Sequence, residues 1–288
     1  MNGEPRGTLS VVATPIGNLA DLSPRAVEVL RAASVIAAED TRHSRPLLQH
    51  FGITTPLVAL HEYNERTAVA SLIGKLEAGA DIALVSDAGT PLVSDPGFRL
   101  VRAARDADIA VSPVPGACAA VAALSVSGLP SDRFVFEGFL PAKPVARRAR
   151  LRELADESRT LVIYESSHRI AECMADLRDV FGTAREARLL RELTKVHETC
   201  IGATLGGIAD RVARDPEQRL GECVLVVAGR GDDTDAKLAE GRRVYALLQA
   251  ELAPAQAAKL AAAISGAPRK ALYGKREPGT GDRGPDQM

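Results

Sequence analysis

The segment Ala83–Gly97 constrains this chain more than any other. An apolar run, Ala83-Leu84-Val85, reads as a buried strand and empties into Ser86-Asp87-Ala88-Gly89-Thr90-Pro91-Leu92-Val93-Ser94-Asp95-Pro96-Gly97. Strand ends in α/β sheets are where ligands sit, because backbone donors and acceptors run out of ladder partners there. Glycine lets backbone approach a ligand closely, and proline stiffens the loop. Alone, the segment is equally an ordinary strand–turn–helix connection, with Pro96 starting the next helix. Two loops of the same make-up also follow apolar runs: Thr14-Pro15-Ile16-Gly17-Asn18 and Pro113-Val114-Pro115-Gly116-Ala117-Cys118-Ala119. In a parallel sheet all three emerge at one edge.

Such a sheet is what the alternation predicts. Strands are expected at Leu9–Ala13, Ser34–Ala38, Leu57–Leu60, Ile82–Val85 and Ile109–Val111. Between them lie a helix capped by Ser23 with Pro24 in its first position, a helix over Glu65–Ala78 stopped by Gly79, and helices at Gly97–Arg105 and Ala117–Ser127. Beyond Gly128-Leu129-Pro130 the pattern changes to strands at Phe134–Gly138, Thr160–Tyr164, Arg188–Leu190, Thr199–Leu205 and Gly221–Val227, with a basic helix over Lys143–Arg152. The reading is α/β: a mainly parallel N-terminal sheet over 1–127, a second α/β domain with a mixed sheet over 128–230, a helical appendage over 231–276, and a Gly-, Pro- and charge-rich tail at 277–288 expected to be disordered. The appendage, with helices at Lys237–Glu251, Pro254–Ile264 and Ala267–Tyr273 after acidic Asp232, Asp233 and Asp235, resembles a helix-turn-helix module.

Composition narrows the function. With 288 residues, 46% hydrophobic and 25% charged, the chain reads as an ordinary globular protein. Aromatics are 3% with no Trp, which argues against base-stacking platforms. A net charge of −1 leaves nucleic-acid binding to local patches, of which Lys143–Arg152 is the clearest; a solvated helix face would look the same. The N-terminus does not read as a signal peptide, and no stretch is long enough to span a membrane. Cys118, Cys173, Cys200 and Cys223 are far apart, as expected of free buried thiols in a cytoplasmic protein, and no metal-ligand spacing stands out.

Phosphate-binding fingerprints and a nucleophile elbow are both absent. Small residues and exposed carbonyls in the three loops suit a ligand that is part apolar, part zwitterionic and cationic, such as S-adenosylmethionine.

Particular strings go further. Thr14-Pro15-Ile16-Gly17-Asn18-Leu19, Ala37-Ala38-Glu39-Asp40-Thr41-Arg42-His43 and Ser86-Asp87-Ala88-Gly89-Thr90-Pro91 occur in the first half. Gly128-Leu129-Pro130-Ser131-Asp132-Arg133-Phe134, Glu137-Gly138-Phe139-Leu140-Pro141, Tyr164-Glu165-Ser166-Ser167-His168-Arg169 and Arg191-Glu192-Leu193-Thr194-Lys195 follow in the second. Over roughly residues 8–229, and more weakly to Tyr273, the chain resembles the tetrapyrrole methylase superfamily. Within it, the likeness is to the methyltransferases of small-subunit ribosomal RNA. The resemblance implies a two-domain methylase, usually a homodimer, that binds S-adenosylmethionine between its domains. It would methylate the 2′-hydroxyl of a cytidine in the decoding region of the small ribosomal subunit. It also implies a cofactor pocket containing Pro15, Asp87, Gly89, Thr90, Val93, Cys118 and Ala119, with Glu165 and Leu193 toward the far wall. Cys118 stands where many relatives carry Pro, and Tyr273-Gly274-Lys275-Arg276 breaks the family's helical ending. Rival readings are a relative acting on a small molecule or protein, and a ribosome assembly factor that binds without turnover.

Removing the hydroxyl proton calls for a base. Asp40, Glu165, Glu192 and Lys195 are candidates at strand ends, with Asp40, Glu165 and Lys195 preferred. Asp40 is equally a clamp for Arg42, Glu192 and Lys195 equally a salt bridge, and His168 a base, an RNA contact or a helix cap. RNA contacts are expected from Arg42, His43, Arg45, Lys143, Arg147, Arg148, Arg150, Arg169 and Lys195.

Overall fold

The computed structural model describes residues 6–61, 64–231 and 234–272. The chain divides into two compact units after Gly229.

The first unit opens with β1 (Thr8–Val12), α1 (Pro24–Ala32), β2 (Val35–Ala38), α2 (Thr41–His50), β3 (Leu57–Ala59), α3 (Glu65–Glu77), β4 (Ile82–Val85), α4 (Phe98–Asp106) and β5 (Ala110–Val114). The strands form an all-parallel sheet in the order β3-β2-β4-β1-β5. β2 and β4 are buried at every position, as apolar strands covered on both faces must be. One face packs Leu30, Leu48 and Ile53 from the α1–α2 side; the other packs Leu72, Leu76 and Leu100 from α3 and α4. The Ser23 hydroxyl accepts from Ala26 N at 3.1 Å and Pro24 opens α1. β5 runs beyond the expected Val111 through Pro113, which an edge strand tolerates because its missing N–H faces no partner.

α5 (Ala119–Ser127), stopped by left-handed Gly128, leads to the second sheet. Its elements are β6 (Phe134–Phe139), α6 (Pro144–Leu154), β7 (Thr160–Glu165), α7 (Ile170–Phe181), β8 (Glu186–Arg191), β9 (Thr199–Thr204), α8 (Leu205–Arg214) and β10 (Cys223–Val227). The order is β6-β7-β10-β8-β9; β6 and β7 are parallel and the other pairs antiparallel. α6, α7 and α8 cover one face, through Leu151, Met174, Leu177 and Ile208. α5 lies on the other, with Ala123 and Leu124 against Val162, Leu190 and Val226. Cys173 and Cys223 are buried as expected, but Cys200 is exposed, because β9 is an edge strand and its side chains alternate outward.

The second unit holds α9 (Thr234–Leu248), α10 (Pro254–Ser265) and α11 (Arg269–Leu272), packed around Val244, Ala261, Ala267 and Leu272. The acidic pair Asp232–Asp233, the departure at Tyr273–Arg276 and the tail at 277–288 lie outside the described residues. No described helix is long and apolar enough to cross a membrane.

Candidate active site

β4, β1 and β5 are neighbours in a parallel sheet, so the loops that follow them leave at the same edge. Side chains and backbone then stitch those loops together. Thr14 N donates to Gly89 O at 2.8 Å, and Gly89 N donates to Thr14 O at 3.1 Å. The Thr90 hydroxyl donates to Ala117 O at 2.9 Å. The second sheet reaches the same place through Tyr164, at the end of β7. Its hydroxyl accepts from Ala120 N at 2.9 Å, and its ring meets Phe136 and Phe139 edge-on at 5.0 and 5.6 Å.

Between the two sheets lies a cavity of about 480 Å³. The first sheet's loops contribute Ile16, Asp87, Gly89, Thr90, Val93 and Asp95; the start of α5 contributes Cys118 and Ala119. Phe139, Tyr164, Glu165, Glu222 and Val224 form the opposite wall. Of the residues anticipated from sequence, Asp87, Gly89, Thr90, Val93, Cys118, Ala119 and Glu165 are brought together here. Pro15 and Leu193 are not among the lining residues; Leu193 packs into the apolar cluster under α5 instead.

The lining is acidic. Glu39, Asp87, Asp95, Glu165 and Glu222 face the cavity, and among the described residues no Lys, Arg or His does. Asp87 is fixed from outside: its Oδ1 accepts from Asp40 N at 3.1 Å and its Oδ2 meets His43 Nδ1 at 2.9 Å. The hydrogen bond to Asp87, reinforced by its charge, raises the His43 pKa above 6.5. A raised folded-state pKa stabilises the protein below the unfolded value, and the contribution is lost as pH rises through the folded one. By NMR the His43 ring is therefore expected to titrate above a free histidine, and Asp87→Asn should return it toward 6.5. An unchanged midpoint in Asp87→Asn would show that the pair does not form.

The candidate bases differ in environment. Asp40 caps α2, accepting from Arg42 N at 2.8 Å and from the Arg42 guanidinium at 2.6 and 3.0 Å, and those bonds hold its carboxyl far below the usual range. That corrects its assignment as a base: a carboxylate so tied gives up its proton readily and accepts one poorly. Lys195 is likewise unsuited. Burial lowers its pKa, but hydrogen bonds to Glu192 (2.9 Å) and Glu222 (3.1 Å) outweigh burial and the net shift is upward, which keeps it an ammonium. Glu165 has a fully buried side chain whose oxygens accept from Ser166 N at 2.9 Å and Arg169 Nη2 at 3.2 Å. His168 is exposed and no side chain caps α7.

Asp95 joins the site without having been singled out by sequence. It lines the cavity, and burial pushes its carboxyl up to about 6; a hydrogen bond with Ser86 opposes the rise and the neighbouring Asp87 charge adds to it. Its only mark in the sequence is to be the second Asp of the β4 loop.

The basic residues divide sharply. Arg42 and Arg45 are exposed on α2, and Lys143 just before α6. Arg148 is 44% exposed, 3.5 Å from Asp176. Arg147 is not an RNA-facing cation: its side chain is 2% exposed, with Nε on Asp176 at 2.7 Å and Nη2 toward Glu172 at 3.4 Å. The helical turn of α6 points it inward onto α7. Arg150 is held by Glu137 at 2.6 and 2.8 Å and by Glu153 at 2.7 Å. Arg169 is likewise engaged, donating to Leu140 O at 2.6 Å and to Glu165. Both are structural ties before they are RNA contacts.

Residues 8–209 match the family model of tetrapyrrole (corrin/porphyrin) methylases, and 235–274 that of the RsmI C-terminal HTH domain. Ribosomal RNA small subunit methyltransferase I of Xylella fastidiosa is 63% identical over 93% of this chain and 98% of its own length. The Pseudomonas aeruginosa protein of the same name is 56% identical over 93% and 95%. The chain belongs to the ribosomal RNA small subunit methyltransferase I family. The tetrapyrrole methylase architecture of that family is also visible in solved structures. Diphthine synthase superposes with a TM-score of 0.58 at 16% identity, covering 77% of this chain and 90% of its own. Uroporphyrin-III C-methyltransferase from Thermus thermophilus, complexed with S-adenyl homocysteine, gives 0.53 at 18% identity, covering 78% and 98%. At these identities the likeness is one of fold.

Proposed function

We propose that this chain transfers the methyl group of S-adenosylmethionine to the 2′-hydroxyl of a cytidine ribose in the decoding region of small-subunit ribosomal RNA. The observation that carries the cofactor assignment is the acidic, cation-free lining of the cavity. Such a lining repels phosphate and suits a ligand bearing sulfonium and ammonium charges, while Ile16, Val93, Cys118, Ala119 and Val224 offer apolar surface for an adenosine. Asp87, Gly89, Thr90, Val93, Cys118 and Ala119 would hold it, with Leu193 packed in the same apolar cluster as Cys118 and Ala119. When bound, the cofactor supplies an electrophilic methyl.

This chain's residues do the rest. The stitched loops fix the site before the ligand arrives, which favours in-line attack, a positioning effect worth up to ~7–11 kcal/mol of barrier. Arg42 and Arg45, on a helix whose His43 touches the Asp87 of the cavity wall, would attract RNA phosphates to the mouth without entering it. Lys143 and Arg148 would extend that track, and the ribosomal RNA for which the relatives are named supports RNA over a small molecule. The homodimer and a cytoplasmic location belong to the same reading; exposed Phe98, Val121 and Val126 are available to a second copy. Mixing the protein with methyl-labelled S-adenosylmethionine and small subunits from a strain lacking it should place label in the RNA. Label in ribosomal protein, or in neither, would contradict the reading.

A further inference from the structure

The cavity has carboxylates to spare, and most are already committed. Asp87 is held by His43 and Asp40 N, Glu165 by Ser166 N and Arg169, and Glu222 by Lys195. Asp95 is different. Among the described residues it has no ion-pair partner, and its surroundings are Ser86 and Asp87 on its own loop, the Tyr164 phenol across the cavity, and Glu39, Cys118, Glu165, Glu222 and Cys223 on the other walls.

Its loop is also held in a costly shape. Leu92 and Ser94 adopt φ of 74° and 69°, and Gly97 one of 118°. Non-glycine side chains meet a steric penalty in this left-handed region, and such strain persists where surrounding structure imposes it. The second sheet packs closely against this strained stretch. β6 bulges between Phe136 and Gly138, and Gly138 (φ 68°) comes so close to Ser94 that a Cβ there would lie 2.9 Å from the Ser94 hydroxyl. A side chain at Gly138 would press on Ser94, the neighbour of Asp95, which lines the cavity.

We propose that Asp95 is the general base of methyl transfer, taking the proton of the attacking ribose hydroxyl. The inference rests on the methyltransferase reading above. As Asp95 takes the proton and the O–H bond breaks, the oxygen's electron pair forms the bond to the methyl carbon, and the pair of the breaking carbon–sulfur bond departs with sulfur. The product is a methyl ether, a neutral thioether and a protonated Asp95, which returns its proton to water. Partial burial suits that role, since the carboxyl is a stronger base than an ordinary aspartate yet ionised at neutral pH.

Asp95→Asn, which preserves shape, tests the assignment through three measurements. Single-turnover methyl transfer to small subunits should fall by ~10²–10⁴-fold, and the acid limb of the wild-type pH–rate profile, centred near 6, should vanish. S-adenosylhomocysteine affinity by calorimetry should change less than about threefold, within the range of a lost weak contact. NMR of carboxyl-labelled aspartate in the free protein should show one carboxyl titrating near 6 that Asp95→Asn removes. Retained turnover, an ordinary aspartate midpoint, or loss of turnover that merely tracks lost cofactor affinity would overturn the assignment. If the wild type itself transfers no methyl to RNA, the proposed function fails and this step with it; an active wild type beside an equally active variant overturns this step alone.

Discussion

Replacing Arg147 with alanine is expected to destabilise the protein by about 3–5 kcal/mol, the range found when one partner of a buried ion pair is removed. The substitution would leave Asp176, only 8% exposed, with a buried charge whose nearest remaining cation is Arg148 at 3.5 Å. It would also remove a long, fully buried side chain and leave a void between α6 and α7. Thermal denaturation measures it directly, with a fall on the order of ten degrees at this chain size. Arg148→Ala, at a half-exposed position, should leave the melting temperature nearly unchanged while flattening the salt dependence of RNA binding. An Arg147→Ala protein as stable as wild type would mean that α6 does not pack on α7 as described.

Gly89→Val is expected to weaken S-adenosylmethionine binding by more than about a hundredfold, or ~2.7 kcal/mol. Gly89 has φ of 84°, a region that β-branched residues scarcely enter. A Cβ built there would sit 3.3 Å from Ile16 Cγ2 and 3.7 Å from Ala117 O, tight against one loop and touching the next. Relieving the strain would pull Gly89 away from Thr14, breaking the paired hydrogen bonds that hold the β1 and β4 loops in register. The two sheets themselves need not move, so circular dichroism should be unchanged. Calorimetric affinity equal to wild type would place the cofactor elsewhere.

The strands of the first sheet are legible in sequence because burial on both faces demands uninterrupted apolar runs, and the Gly–Pro loops mark where each run ends. α2 is not legible. Its window holds Arg42, His43, Arg45 and an internal Pro46, which obscure the apolar Leu47–Leu48 pair; only the Asp40 cap announces it. Part of the cavity wall is hidden for another reason. Glu222 and Val224 reach it through the antiparallel pairing of β10 with β7, a contact between segments far apart in the chain. Arg147 looks in sequence like its exposed neighbours, since nothing in α6 reveals that Asp176 and Glu172 wait on α7. Asp95 shows the same limit: its residue type is plain in the loop, but the cavity that half-buries it is closed by residues of the second sheet.

The most direct test of the central claim is to map the methyl group. Small subunits from a strain lacking this protein would be treated with it and S-adenosylmethionine, and the RNA digested and read by mass spectrometry. One new methyl on the ribose of a single decoding-region cytidine is the result that the proposed activity predicts. A methyl on a nucleobase, or none in the decoding region, would contradict it.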